Sequence, residues 1–434
     1  MNPTIKVGIL EAPSVRISLS GSYTVNGTAA TGGTLEFTRT ADGITLAGQG
    51  TASEFRLQPG TADAIATVAD VTIGIGFHWQ QHEDQQFGGD LAVIQAGDNL
   101  AVVNEIDIEH YLLSVISSEM NASAPEEFLK AHAVISRSWA LAQIRNSAVG
   151  ESIPCTETEA ETIRWTDNAA HTLYDVCADD HCQRFQGYAR AAASSRPALA
   201  VTATAGEVLM YGNTLCDTRF SKCCGGITER FSTCWQPLDK PYLIPVTDTP
   251  DSHPADASGE EEFRHFLDNP PADAFCANPP ESVLRSILNS YDRSTPHLYR
   301  WSVSYTGDEL ADIIRRRSGR DYGRIRAITP LHRGPSGRID RLRIDGTRLS
   351  RIIGKELEIR RTLSESHLYS SAFTVLPSEP DAGGIPSRWT LRGAGWGHGV
   401  GLCQIGAAVM GTRGYSYRQI LAHYFPGAEL KQLY

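Results

Sequence analysis

Several things are missing from this 434-residue chain. No stretch approaches the roughly 20 uninterrupted apolar residues of a membrane-spanning helix, so no transmembrane segment is expected. The opening residues MNPTIKVGILEAP lack the basic start and long apolar run of a secretory leader; the chain reads as cytosolic or as one whose leader has been removed. Positive charge is scarce: 39 Lys and Arg stand against 50 Asp and Glu, a net charge of −11. That sign argues against a protein held on nucleic acid by bulk electrostatics. No fixed-period repeat is visible, which sets aside solenoids and propellers. With 41% hydrophobic and 21% charged residues, the remainder is an ordinary globular composition. The length allows roughly three average domains, or one core with large insertions.

Cysteine is present in an odd number, nine, and seven of them fall between Cys155 and Cys234, with Cys276 and Cys403 outside. One at least cannot pair within the chain. A chain this long does not need a disulfide framework, so some of these residues read as thiols or metal ligands.

From Ser14 to about Asn104, runs such as VRISLSGSYTV and GITLAG alternate in period two between Gly and Asn turns, the pattern of β-structure. In IDIEHYLLSVISSEM the period changes to 3.6, with Ile108, Leu112, Val115 and Ile116 on one stripe of a helix. Ser123-Ala124-Pro125-Glu126 then opens a second helix through FLKAHAVISRSWALAQI. LAVTATAGEVLMY, from Ala198, reads as strand. The acidic, Pro-rich stretch from Asp248 to Pro280 reads as a linker or surface insertion with little part in any core. A helix is predicted near ELADIIRRR, and a strand in RWTLRG leads through a Gly-rich turn into a last helix. The predicted fold class is α+β: mixed sheets with a helical catalytic segment, an N-terminal β-rich region (1–103), a core in two parts (104–247 and 345–434) and an inserted segment (248–344).

Glu119 lies on the same stripe as Leu112, Val115 and Ile116. A carboxyl turned toward an apolar face has its charged form disfavoured, as a general acid working at neutral pH requires; a Glu at a helix end can equally be paired or solvated. Lys130 and Arg137, two turns apart, project about 10 Å from each other along one helix face, where they could bridge an anionic or hydroxyl-rich ligand or merely neutralise a neighbour. His171, Cys177 and Cys182 stand in HTLYDVCADDHCQ, with His181 beside the last cysteine. Imidazole and thiolate suit zinc, with a fourth position left for water or another side chain; a Cys177–Cys182 disulfide is the alternative. The segment GAGWGHGVGLCQIGAAVM surrounds Trp396, His398, Cys403 and Gln404 with glycine. It has neither the Lys-Ser/Thr of a phosphate loop nor dinucleotide spacing, so no nucleotide cofactor is expected. A Cys403–His398 thiol nucleophile is a further reading of the same segment.

Together YLLSVISSEMNASAPEEFLKAHAVISRSWAL, TATAGEVLMY, FSKCCGGITE, SGRI and GWGHGVGLCQIGAAVMGTRGYSYRQILAHYFPGAEL, in that order, resemble the SpoIID/LytB family of bacterial cell-wall proteins. The resemblance is specific over about 104–142 and 393–430 and thinner between. It implies a peptidoglycan lytic transglycosylase acting on glycan strands stripped of stem peptides, in the cell envelope, with Glu119 as the catalytic acid. Lys130 and Arg137 would be glycan-positioning cations, and His398 and Gln404 would lie in or near the site. His171, Cys177 and Cys182 would be the zinc set, and Trp396 or Trp139 would stack on sugars. LytB-type relatives imply the rival function, a noncatalytic enhancer of a cell-wall amidase. Cys403 stands where the family usually has Ser, and Cys223-Cys224 replace small or polar residues.

Overall fold

The computed structural model describes residues 2–75, 80–147, 155–165, 171–187, 195–289 and 298–434. The alternating N-terminal runs form one large, mainly antiparallel sheet. The strand Thr4–Ala12 pairs with Asn99–Asp107, which pairs with Asp90–Ala96, and the path continues through Glu54–Pro59 to Ser14–Val25 and Thr28–Thr40. The alternation is what the sheet needs, since Val15, Ile17 and Leu19 point to one face and are buried. On the other edge Val176–Cys177 adds in parallel to Thr4–Ala12, with Gly8 opposite Cys177. A Cβ at Gly8 would come within 2.4 Å of the Tyr174 ring, so glycine lets this later segment lie close against the sheet.

The sheet leads directly into helix α1 (Ile108–Glu119), capped by the Asp107 carboxylate, which accepts from the Glu109 and His110 N–H groups. Its stripe packs on helix α2 (Glu126–Ser147), and α2 runs through the middle of the main core, every residue from Ala131 to Gln143 being buried. The main core joins the sheet, α1, α2 and the C-terminal helices Gln404–Thr412 and Tyr417–Tyr424. A second apolar cluster, from Trp301 to Leu391, draws on both sides of residue 345. The α+β class holds, as do the predicted helix Gly307–Ser318 and strand Pro386–Ala394.

Two readings are corrected. The first part of LAVTATAGEVLMY is helical: Ser195–Ala203 is a helix, and only Glu207–Tyr211 is strand. Pro197, Ala200 and Val201 are buried, and Thr204 just past its end continues an i, i+3, i+4, i+7 stripe that apolar Ala and Val residues disguised as alternation. The stretch 248–280 is not a surface linker. Asp248, Phe263, Phe275 and Cys276 are all buried, and the helix Glu260–Asp268 turns Phe263 and Leu267 inward. In so polar a segment, few apolar side chains at helical spacing suffice to anchor it.

Candidate active site and metal centre

Glu119 ends α1 with 8% of its surface exposed, and its Oε1 accepts the Arg184 backbone N–H at 2.9 Å. Its own carbonyl oxygen accepts from Lys222 Nζ at 3.2 Å. The carboxyl opens on a cleft of about 1010 Å³. Trp396, His398 and Gln404 line the same cleft, so residues almost three hundred positions apart share one surface. Trp139, Trp165 and Trp235 add aromatic faces to it. Trp139 is 3% exposed, with the Arg219 guanidinium 5.8 Å from its ring centre. The Trp235 ring meets His398 edge-on at 4.8 Å.

His398 and Gln404 are held firmly. Burial, and then the Arg219, Arg338 and Arg360 charges, push the His398 imidazole well below its ordinary value. The ring is neutral, and its Nδ1 accepts the Val400 N–H at 3.0 Å. Gln404 donates from Nε2 to His132 Nε2 at 3.0 Å. Burial, with a smaller contribution from the Lys222 charge, lowers His132 to about 3, so this ring too is neutral; its Nδ1 meets Ser136 Oγ at 3.2 Å. The glycines let the turn approach: Gly395 has φ +75°, and a Cβ there would sit 2.7 Å from the Cys223 carbonyl oxygen.

Lys130 and Arg137 are a correction. Neither lines the cleft. The Arg137 side chain is fully buried, its Nε and Nη2 donating to the two carboxylate oxygens of Glu109 at 2.7 and 2.6 Å and its Nη1 to the Glu207 carbonyl at 3.0 Å. Lys130 pairs with Glu126 and Glu127 at 2.7 and 2.9 Å. A two-turn spacing puts both on one face of α2, but neighbours enclose that helix, and Arg137 meets a carboxylate before it can meet a ligand. The cations that do line the cleft are Arg184, Arg219, Lys222, Arg317, Arg360 and Arg361. Of these only Lys222 carries a signal in the sequence, sitting in FSKCCGG.

Cys403 is a second correction. It is fully buried, is absent from the cleft wall, and its sulfur accepts the Cys224 and Gly406 N–H groups. The Cys403 sulfur is therefore not a thiol nucleophile facing the cleft beside His398.

His171, Cys177 and Cys182 converge on the cleft wall, and His181 joins them, all four donor atoms lying within 4.8 Å of one another. His171 Nε2 is 3.1 Å from His181 Nδ1; Cys182 Sγ is 3.4 Å and 3.5 Å from these nitrogens, and Cys177 Sγ is 3.8 Å from His181 Nδ1. Metal–nitrogen bonds near 2.1 Å and metal–sulfur bonds near 2.3 Å make tetrahedron edges of about 3.3 to 3.8 Å. The donors fit a single tetrahedral ion, with His181 filling the position left open to water or another side chain.

The Stage II sporulation protein (SpoIID) family model matches residues 96–211, the stretch that holds Glu119, α1, α2 and the donor set. Stage II sporulation protein D of Bacillus amyloliquefaciens is 23% identical over 333 residues, covering 76% of each chain. The amidase enhancer of Bacillus subtilis (strain 168) is 25% identical over 329 residues, 74% of this chain and 40% of that protein. These matches support a likeness to the SpoIID family. A domain of unknown function (DUF8618) matches residues 229–401 of this chain. An uncharacterized protein of Brachyspira hyodysenteriae is 25% identical over 346 residues, 80% of this chain and 72% of that one. Among the described residues, no helix is long and apolar enough to cross a membrane.

Proposed function

We propose that this protein, similar to the SpoIID family, is a peptidoglycan lytic transglycosylase of the cell envelope, cutting glycan strands between N-acetylmuramic acid and N-acetylglucosamine. One observation carries the reading: a nearly buried carboxyl, Glu119, opens on a long cleft together with Trp396, His398 and Gln404. The other carboxylates on the cleft wall have structural partners. Asp179 accepts the Gly74 and Ile75 N–H groups, Asp180 the Arg184 guanidinium, Glu356 the Arg360 guanidinium and Glu11 the Tyr174 hydroxyl. A hydrolase of the usual kind needs two carboxyl groups flanking the bond, whereas a lytic transglycosylase works with one.

Glu119, protonated, donates to the glycosidic oxygen as the bond to muramyl C1 breaks. The resulting carboxylate then takes the proton of the muramyl C6 hydroxyl, whose oxygen closes on C1 to give a 1,6-anhydro sugar. Proton and atoms balance without water. The Arg184 N–H fixes the carboxyl's direction, Trp396 and Trp235 offer faces to sugar rings, and the exposed Arg361 at the rim offers a cation to lactyl carboxylates on stripped strands. A zinc ion held by His171, Cys177, His181 and Cys182, its charge balanced by the two thiolates, would supply rigidity beside Glu119.

The test is incubation with amidase-treated glycan strands, followed by mass spectrometry for anhydromuramyl ends. Wild type should form them, and Glu119→Gln should form about 10²- to 10⁴-fold fewer. The named relative that is an amidase enhancer supports a second reading, a noncatalytic partner of a cell-wall amidase. It prevails if neither protein yields anhydromuramyl ends while amidase turnover rises on mixing.

A further inference from the structure

Away from the cleft, a second set of ligating side chains converges. The donor atoms of Cys224, Cys276, Cys403 and Asp248 all lie within 4.8 Å of one another, and every one of these residues is buried. They come from three stretches: the turn before Gly225-Gly226, the two ends of the acidic 248–280 segment, and the N-cap of the helix Gln404–Thr412. Asp248 is 0% exposed, Cys403 0%, Cys276 1% and Cys224 2%.

Three physical features separate this cluster from thiols that merely fill a core. First, its sulfurs accept backbone N–H groups, as thiolates do: Gly226 donates to Cys224 at 3.4 Å, and Cys224 and Gly406 donate to Cys403 at 3.2 and 3.4 Å. The Cys403 sulfur also caps a helix N-terminus, whose partial positive charge favours the thiolate. Second, a carboxylate sits among the sulfurs at full burial. It is oriented by the Cys276 N–H at 3.0 Å and the Tyr424 hydroxyl at 2.6 Å, as an outer-shell pair orients a ligand. Third, Cys224 Sγ and Cys276 Sγ are 3.6 Å apart, close to the roughly 3.8 Å edge that two thiolates make on one tetrahedral ion. An iron–sulfur cluster spreads its thiolates over separate irons, and a single disulfide would not account for a third sulfur and a carboxylate oxygen gathered at the same point.

We propose that Cys224, Cys276, Cys403 and Asp248 bind one thiophilic divalent cation, of which zinc is the fitting kind, in a closed structural site distinct from the one beside Glu119. Its work is to staple the fold beneath the cleft. Lys222, which holds the Glu119 carbonyl, lies two residues before Cys224; Gln404 follows Cys403; and Trp396 exchanges backbone hydrogen bonds with Cys223 at 3.1 and 2.8 Å. One ion therefore locks the acidic 248–280 stretch to both cleft-forming motifs. Binding energy of this kind is folding energy.

The experiment is elemental analysis of the untagged full-length protein, paired with thiol mapping by mass spectrometry without reductant. Wild type should carry about two ions per chain and Cys177→Ser/Cys182→Ser about one, retained until Cys276→Ser is added. With cobalt as probe, the Cys177→Ser/Cys182→Ser protein should show thiolate-to-cobalt charge-transfer bands. An ion-free Cys177→Ser/Cys182→Ser protein overturns the proposal, and so does a Cys224–Cys276 disulfide mapped in wild type. If Cys276→Ser fails to fold, wild-type stoichiometry and the mapping still decide. The outcome is independent of the glycan assay, since it reads metal and not cleavage.

Discussion

The Glu119 carboxylate accepts the Arg184 backbone N–H at 2.9 Å, so the end of α1 is tied to the segment that carries His171, Cys177, His181 and Cys182. Glu119 and the four clustered His and Cys donors line one cleft. A backbone donor also fixes the carboxyl's direction without depending on any side chain's rotamer.

Glu119→Gln keeps an oxygen for the Arg184 N–H and removes only the transferable proton. The variant is expected to unfold in urea within about 1 kcal/mol of wild type, while anhydromuramyl product falls about 10²- to 10⁴-fold. A comparable loss of stability and of product would instead mark Glu119 as a structural residue.

His181 completes the donor set beside Glu119, so His181→Ala should weaken metal binding by about tenfold or more, since even losing a group that orients a ligand costs that much. Competition with a chromogenic chelator reads the affinity. Unchanged affinity would return the fourth position to water.

Arg137→Met leaves Glu109, whose side chain is only 14% exposed, without its bidentate partner. Removing one member of a buried pair costs roughly 3 kcal/mol or more, and denaturant melts should show it. If Arg137 bound glycan, the variant would instead melt normally and raise KM.

His132 is held neutral, its pKa lowered to about 3 first by burial and then by the Lys222 charge, while the unfolded chain's His titrates near 6.5. Between these values the unfolded state binds the extra proton, so stability falls as pH drops from about 6.5 toward 3, by roughly 1.4 kcal/mol per pH unit from this group. His132→Gln should flatten that slope in pH-dependent urea melts; an unchanged slope assigns it to other groups.

Much was legible in the residues themselves. Period-two runs bounded by glycine dictate strands, and the apolar stripe of α1 behind Asp107 dictates a helix with Glu119 at its buried end, because side-chain direction follows from backbone periodicity alone. The spacing of His171, Cys177 and Cys182 lies within one short segment, where local chain geometry limits how far apart the donors can be. Tertiary structure decided what periodicity does not encode: which neighbour each side chain meets. Arg137 found Glu109 because α2 is enclosed, and Cys403 turned into the core while its neighbour Gln404 reached the cleft. Asp248 and Cys276, on a stretch too polar to suggest a core, are buried along with Phe263 and Phe275. A contact between residues distant in sequence depends on the packing of everything between them, and no local pattern carries that.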